Sequence, residues 1–178
     1  MNLSLYDNSS FKRGVPRWKE ALWLVVSMVF FRSWIPWPSS LRTRFLVSFG
    51  AKIGSGVRIH TGVNISFPWR LEIGDHVWLG EDVRILSLAW VKIGSNVCIS
   101  QQAYLCTGSH DHRKETFDLI TAPICIEQGS WIASRAFIGA GVTVGAGSIV
   151  GAGAVVIRDV PSGMAAYGNP VVLRKIDR

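Results

Sequence analysis

The chain has 178 residues and a mass of 19.6 kDa, enough for one domain with a modest extension and too little for two full domains. Hydrophobic residues make up 48% and charged residues 17%, which excludes a disordered chain. A net charge of +7 asks for an acidic partner, and three cysteines without CxxC spacing argue against a disulfide framework or zinc knuckle and for a reducing compartment.

Residues 1–52 read as a basic, Trp-rich helical extension. They hold eight Lys+Arg against two Asp+Glu and four of the eight tryptophans, while the rest of the chain is nearly neutral. The apolar stretch Ala21 to Phe31 is broken only by Ser27, and its 11 residues fall short of a membrane span. Lys12, Arg13, Arg17 and Lys19 would suit a signal peptide, but no small-residue cleavage site follows; Trp34, Ile35, Pro36, Trp37 and Pro38 come instead. Trp18, Leu22, Val25 and Val29 follow helical spacing, and Trp23, Leu24 and Phe30 make the other side apolar too. Such a helix packs on its own protein, on a partner subunit, or in a membrane interface. The basic surplus gives the expectation that residues 1–40 of a cytoplasmic protein make a peripheral contact with anionic lipid.

From Ile53 onward the sequence repeats every six residues. The anchors are Ile53, Ile59, Ile65, Ile73, Leu79, Ile85, Ile93, Ile99, Leu105, Ile126, Ile132, Ile138, Val144, Val150 and Val156. Glycine follows seven of them, which we attribute to the backbone freedom of tight corners, and a small or β-branched residue sits four after most anchors, with Trp69 the bulky exception. This predicts an all-β solenoid over 53–161 of about five coils, each of three short strands and three corners, followed by a short tail at 162–178. Anchor steps of 20, 20, 33 and 18 residues between successive coils leave a surplus after the third coil, an extruded loop at about 108–123.

The hexapeptides, together with Gly168-Asn169-Pro170, resemble the hexapeptide-repeat acyltransferases, whose fold is a left-handed parallel β-helix. Trp18-Lys19-Glu20, Phe49-Gly50-Ala51-Lys52-Ile53-Gly54, Pro68-Trp69, the segment Ile93 to Gln101 and Thr107-Gly108-Ser109-His110-Asp111 are similar to the branch named for colanic acid biosynthesis acetyltransferases. The resemblance supplies the left hand, against the usual right-handed rule for parallel crossovers. It implies a homotrimer, with the donor cleft between neighbouring subunits. It also implies transfer of acetyl from acetyl-CoA to a sugar hydroxyl in extracellular or capsular polysaccharide biosynthesis.

Direct attack by a hydroxyl needs a base titrating near neutrality, most simply a histidine. Of the four histidines, His60 and His76 fall on coil positions, whereas His110 and His112 open the extruded loop. The resemblance picks His110 as catalytic base and gives His112 a lining or acceptor-contact role. Asp111 either orients an imidazole, contacts acceptor or is simply solvated. For the donor, the resemblance implies the pantetheine arm beside Trp131, Ser134 and Ala152. Arg158 stands in for the family's lysine near the nucleotide phosphates, and Lys175 with Arg174 compensates for Val171-Val172, where relatives carry Ala-Lys. Glu81 and Asp82 lie where relatives hold the acceptor.

No Ser-His-Asp order or Gly-x-Ser-x-Gly elbow indicates an acyl-enzyme, and Cys98, Cys106 and Cys125 read as small packing residues. The alternatives weighed are transfer to another small hydroxyl or amine, a non-enzymatic membrane-docked scaffold, and a γ-type carbonic anhydrase. The last needs a three-histidine zinc site that one residue between His110 and His112 does not give, so no metal is expected. Nucleic acid is disfavoured because no basic stripe follows the coils.

Overall fold

A computed structural model describes residues 2–9 and 11–176. Two helices, α1 (Arg17–Phe30) and α2 (Ser39–Ser48), precede a parallel β-solenoid of five complete coils and part of a sixth. Its first face stacks Lys52–Ile53, Leu71–Ile73, Val91–Ile93, Ile124–Ile126 and Thr143–Val144. The second stacks Arg58–Ile59, Trp78–Leu79, Cys98–Ile99, Trp131–Ile132, Ile149–Val150 and Met164–Tyr167, with Val172–Lys175 antiparallel at the end. The third stacks Asn64–Ile65, Arg84–Leu86, Tyr104–Cys106, Phe137–Ile138 and Val155–Val156.

Anchor pairs with anchor on every face: Ile53 with Ile73, Ile73 with Ile93, Ile93 with Ile126 and Ile126 with Val144 on the first. The uneven steps are therefore one coil each, and the surplus residues leave at a corner. All the anchors are buried except Ile53 at the open end, which is half-buried, so the aliphatic column is continuous. Trp69 escapes the small-residue rule because the short 3-10 turn Pro68–Arg70 carries it out of the coil. There its indole donates to the Arg13 carbonyl at 2.8 Å.

The glycines after the anchors act differently from the sequence expectation. None of them has a positive φ. They are needed because the coils approach closely: a Cβ on Gly94 would lie 2.6 Å from the Gln128 nitrogen, and one on Gly145 would lie 2.4 Å from that of Ser162. Positive φ falls two residues further on, at Gly56 and Gly62 but also at His76, Asp82, Asn96, Gln102 and Arg135.

The first coil presents unpaired carbonyls at its open end, and the helices satisfy them. Arg42 on α2 is buried and donates to Ile59 O at 2.9 Å, Phe30 O at 2.8 Å and Ile35 O at 3.2 Å. Trp23 on α1 donates to Ile65 O at 2.8 Å and packs on Phe31 and Phe49. A solenoid edge left bare would template pairing with another chain, and this cap removes it. Among the described residues no helix is long and apolar enough to cross a membrane.

Candidate active site

The surplus after the third coil folds as a β-hairpin at the third corner. Gly108–His110 pairs antiparallel with Leu119–Thr121, with His110 opposite Leu119. Cys106, a free thiol at the hairpin's base, points its sulfur at the Gly108 carbonyl, 3.2 Å away. The tip is tied internally. Asp111 accepts from Arg113 Nε at 3.0 Å, and Asp118 accepts from Lys114 Nζ at 2.7 Å and from the Thr116 hydroxyl at 2.6 Å. The Arg113 hydrogen bond holds the Asp111 carboxyl below its ordinary value, and those of Lys114 and then Thr116 do the same for Asp118.

His110 is half-buried on this hairpin. Its Nδ1 lies 2.9 Å from the Phe117 carbonyl, and its ring is stacked on the Phe117 ring at 4.3 Å between centroids and 1° between planes. A carbonyl oxygen only accepts, so Nδ1 carries the proton and the lone pair of the neutral imidazole sits on Nε2. Phe117 holds φ +51°, a left-handed conformation unusual for an aromatic residue, and this aims its carbonyl at the imidazole. Tyr6, from the segment that crosses the hairpin, meets the ring edge-on at 5.6 Å, and the Asn2 amide donates to Glu115 O at 2.9 Å.

The Asp111 carboxylate is turned to Arg113, and the contact at His110 Nδ1 is the Phe117 carbonyl. His112 is exposed on the hairpin tip. Sequence reasoning missed Phe117 and Tyr6. The signal for Phe117 was an aromatic residue inside the surplus segment; Tyr6 lies ahead of every motif that carried the resemblance.

The other expected residues lie elsewhere on the prism. Ser134 and Ala152 occupy the second corner one coil apart, where the Gly153 amide donates to Ser134 O at 2.9 Å. Glu81 and Asp82 sit on the same corner nearer the cap. Glu81 pairs with His60 Nδ1 at 3.1 Å, and Asp82 lines a cleft of about 530 Å³ with Arg32, Trp34, Arg84, Gln102 and Tyr104. Trp131 stands on the second face, 47% exposed, its indole donating to the Ser100 hydroxyl at 2.9 Å. Arg158 is on the third corner, two coils beyond the hairpin, and donates to Val171 O at 2.9 Å; Lys175 is exposed on the last strand. Among the described residues no group of three or more His, Cys, Asp or Glu side chains is placed to hold a metal ion.

The structure thus sets a half-buried histidine on a hairpin that projects from one corner of a parallel triangular solenoid. No family model matches the chain. The Escherichia coli (strain K12) protein provisionally named colanic acid biosynthesis acetyltransferase WcaF is 41% identical over 162 residues, covering 90% of this chain and 88% of its own. A hexapeptide-repeat acetyltransferase of Vibrio cholerae O1 biovar eltor, solved with acetyl coenzyme A, superposes with a TM-score of 0.81 at 26% identity, covering 91% of this chain and 89% of its own. A galactoside acetyltransferase solved with coenzyme A gives 0.79 at 26% identity over 90% and 82%. The chain belongs to the hexapeptide-repeat acyltransferase family, and its solenoid is the left-handed β-helix of that family.

Proposed function

We propose that this protein transfers the acetyl group of acetyl-CoA to a sugar hydroxyl in extracellular or capsular polysaccharide biosynthesis, by direct attack with His110 as general base. The observation that carries this reading is the Nδ1–carbonyl contact of 2.9 Å between His110 and Phe117, which leaves Nε2 as the free basic nitrogen. The similarity to a protein named for colanic acid biosynthesis supports the glycan, and the acetyl-CoA complex of the Vibrio cholerae relative supports the donor.

In the reaction Nε2 takes the proton of the acceptor hydroxyl as its oxygen attacks the thioester carbonyl. The tetrahedral intermediate then collapses with cleavage of the C–S bond, and the imidazolium returns the proton to the departing CoA thiolate. The pantetheine arm runs past Trp131, Ser134 and Ala152, and Arg158 and Lys175 meet the nucleotide phosphates. Arg158 spends one N–H on Val171 O and keeps the rest of its guanidinium for an anion.

The chain works as a homotrimer. Its support is geometric: His110 projects from the third corner and Asp82 lines its cleft at the second, so the width of the third face, roughly 15 Å or more of extended strand, separates base and acceptor residues in one chain. A neighbouring copy brings the two corners together. The enzyme acts in the cytoplasm, peripherally at the inner face of the membrane.

The test is acetyl-CoA turnover with candidate glycosides, wild type against His110→Ala. Loss of general-base catalysis lowers kcat by about 10²- to 10⁴-fold. A variant that keeps most of its turnover removes His110 from the mechanism.

A further inference from the structure

Helix α1 turns one stripe inward and the opposite one outward. Trp23 and Ser27 are buried and Val26 and Phe30 pack on the core, whereas Trp18, Leu22, Leu24, Val25, Met28 and Val29 stay exposed. No charged residue falls between Glu20 and Arg32, so nothing polar but Ser27, which faces inward, interrupts the strip. Just beyond it Trp34 is 77% exposed. Contiguous apolar surface of this kind marks an interaction site.

Cations frame the strip. Arg13, Arg17 and Arg32 line one cleft of about 630 Å³ alongside α1, with Asn64 and Ser66 on its far wall. Arg13 is paired with Glu20, and among the described residues Arg17 and Arg32 pair with no carboxylate. Tryptophan and apolar side chains on one surface, with free guanidinium groups at its border, match the layering of a bilayer interface: acyl chains below, phosphates above.

A second copy of this chain fits the strip poorly. A 14-residue helix is about 21 Å long, so two copies paired along it share a strip only one helix wide. Antiparallel pairing of two such helices would also set Arg17 of one against Arg32 of the other.

We infer that the outward face of α1, together with the arginine cleft beside it, is a docking surface for an anionic bilayer, with Arg17 and Arg32 taking lipid phosphates. This deepens the peripheral location proposed above and rests on it, while being independent of which sugar is acetylated.

The test uses the full chain with sedimenting phosphatidylcholine vesicles, with and without phosphatidylglycerol. Wild type co-sediments with the anionic vesicles and stays in the supernatant with phosphatidylcholine alone. Leu22→Glu and Val25→Glu, at exposed positions, each cut the vesicle partition at least about tenfold through lost apolar burial. Arg17→Gln cuts it about fivefold. Melting temperature and acetyl transfer to a soluble glycoside stay at wild-type values in the Leu22 and Val25 variants. Absence of wild-type binding to anionic vesicles overturns the inference, as does undiminished binding of Val25→Glu. Self-association that Val25→Glu abolishes, without any vesicle binding, assigns the strip to a second copy and overturns it as well. Glycoside acetylation is run without lipid, so a failure of the enzymatic reading and a failure of docking are separate results.

Discussion

Phe117 offers two separable holds on His110, and substitutions can take them apart. Asparagine tolerates the left-handed conformation at φ +51°, so Phe117→Asn keeps the carbonyl in place and removes only the stacked ring. Aromatic stacking contributes about 0.5–1.5 kcal/mol, which corresponds to a kcat lower by about 2- to 13-fold if the loss is felt fully in the transition state. Proline is locked near φ −65° and has no N–H, so Phe117→Pro swings the carbonyl away from Nδ1 and also deletes the 3.2 Å bond from the Phe117 amide to Lys114 O. The imidazole then loses both orientation and tautomer preference, and kcat falls by about 10²-fold or more, toward the level of His110→Ala. The assay is steady-state release of CoA thiol with a soluble glycoside, with circular dichroism and thermal melting to verify that the solenoid is intact. KM for acetyl-CoA stays near the wild-type value in both variants, because the donor residues lie on other elements. Equal activity of the proline and asparagine variants would refute the carbonyl's role and leave the ring as the only hold.

The cap and the hairpin tip give further expectations. Arg42→Met strips its donor from the Phe30 carbonyl, while Ile59 O keeps the Ser39 hydroxyl at 3.1 Å and Ile35 O keeps the Trp37 amide at 2.8 Å. The orphaned Phe30 carbonyl costs about 1–3 kcal/mol; desolvation of the guanidinium, which already pushes its pKa down, is recovered in part, for a net loss of about 1–2 kcal/mol. Urea unfolding reads this directly, and a loss below about 1 kcal/mol would show that the helices do not cap the solenoid through Arg42. At the hairpin tip the folded carboxyls of Asp111 and Asp118 titrate below their ordinary value. Their contribution is therefore complete above about pH 4 and is lost as pH falls through the carboxylate range. Exchange of the Asp111 amide, bonded to Asp118 O at 2.9 Å, stays slow relative to its intrinsic rate between about pH 5 and 8 and loses protection below about pH 4. Asp118→Asn loosens the tip already at neutral pH, and unchanged protection there would show that the Lys114 pair is idle.

The solenoid was legible because its contacts recur at a fixed offset. Each anchor meets the anchor one coil later, so spacing alone gives register, and the 33-residue step exposes the hairpin that carries His110. The orienting partner of His110 was not legible, since an exposed two-stranded hairpin has no buried face to fix its register and thereby bring Phe117 under His110. The glycines after the anchors were legible as a pattern and misread as a cause. Their constraint is a contact between coils, which a one-dimensional spacing does not display. Helix α1 was apolar on both sides in sequence, and the burial of Trp23 and Ser27, with the Trp23 indole bonded to Ile65 O, tells which side is core.

The separation of base and acceptor residues follows from the same offsets. Asp82 comes three residues after a second-face anchor, Leu79, and His110 comes five after a third-face anchor, Leu105, so the repeat itself assigns them to different corners. A triangular prism keeps its corners apart at every coil, whatever the side chains do. With the roles proposed for them, His110 on one corner and Asp82 on another make each chain half of a site. Adding coils lengthens the prism without bringing the corners closer, whereas setting a second prism beside the first does so at once. If Asp82 holds the acceptor as proposed, His110 reaches it only from a neighbouring copy, so a monomeric variant that keeps full turnover would separate Asp82 from the acceptor site.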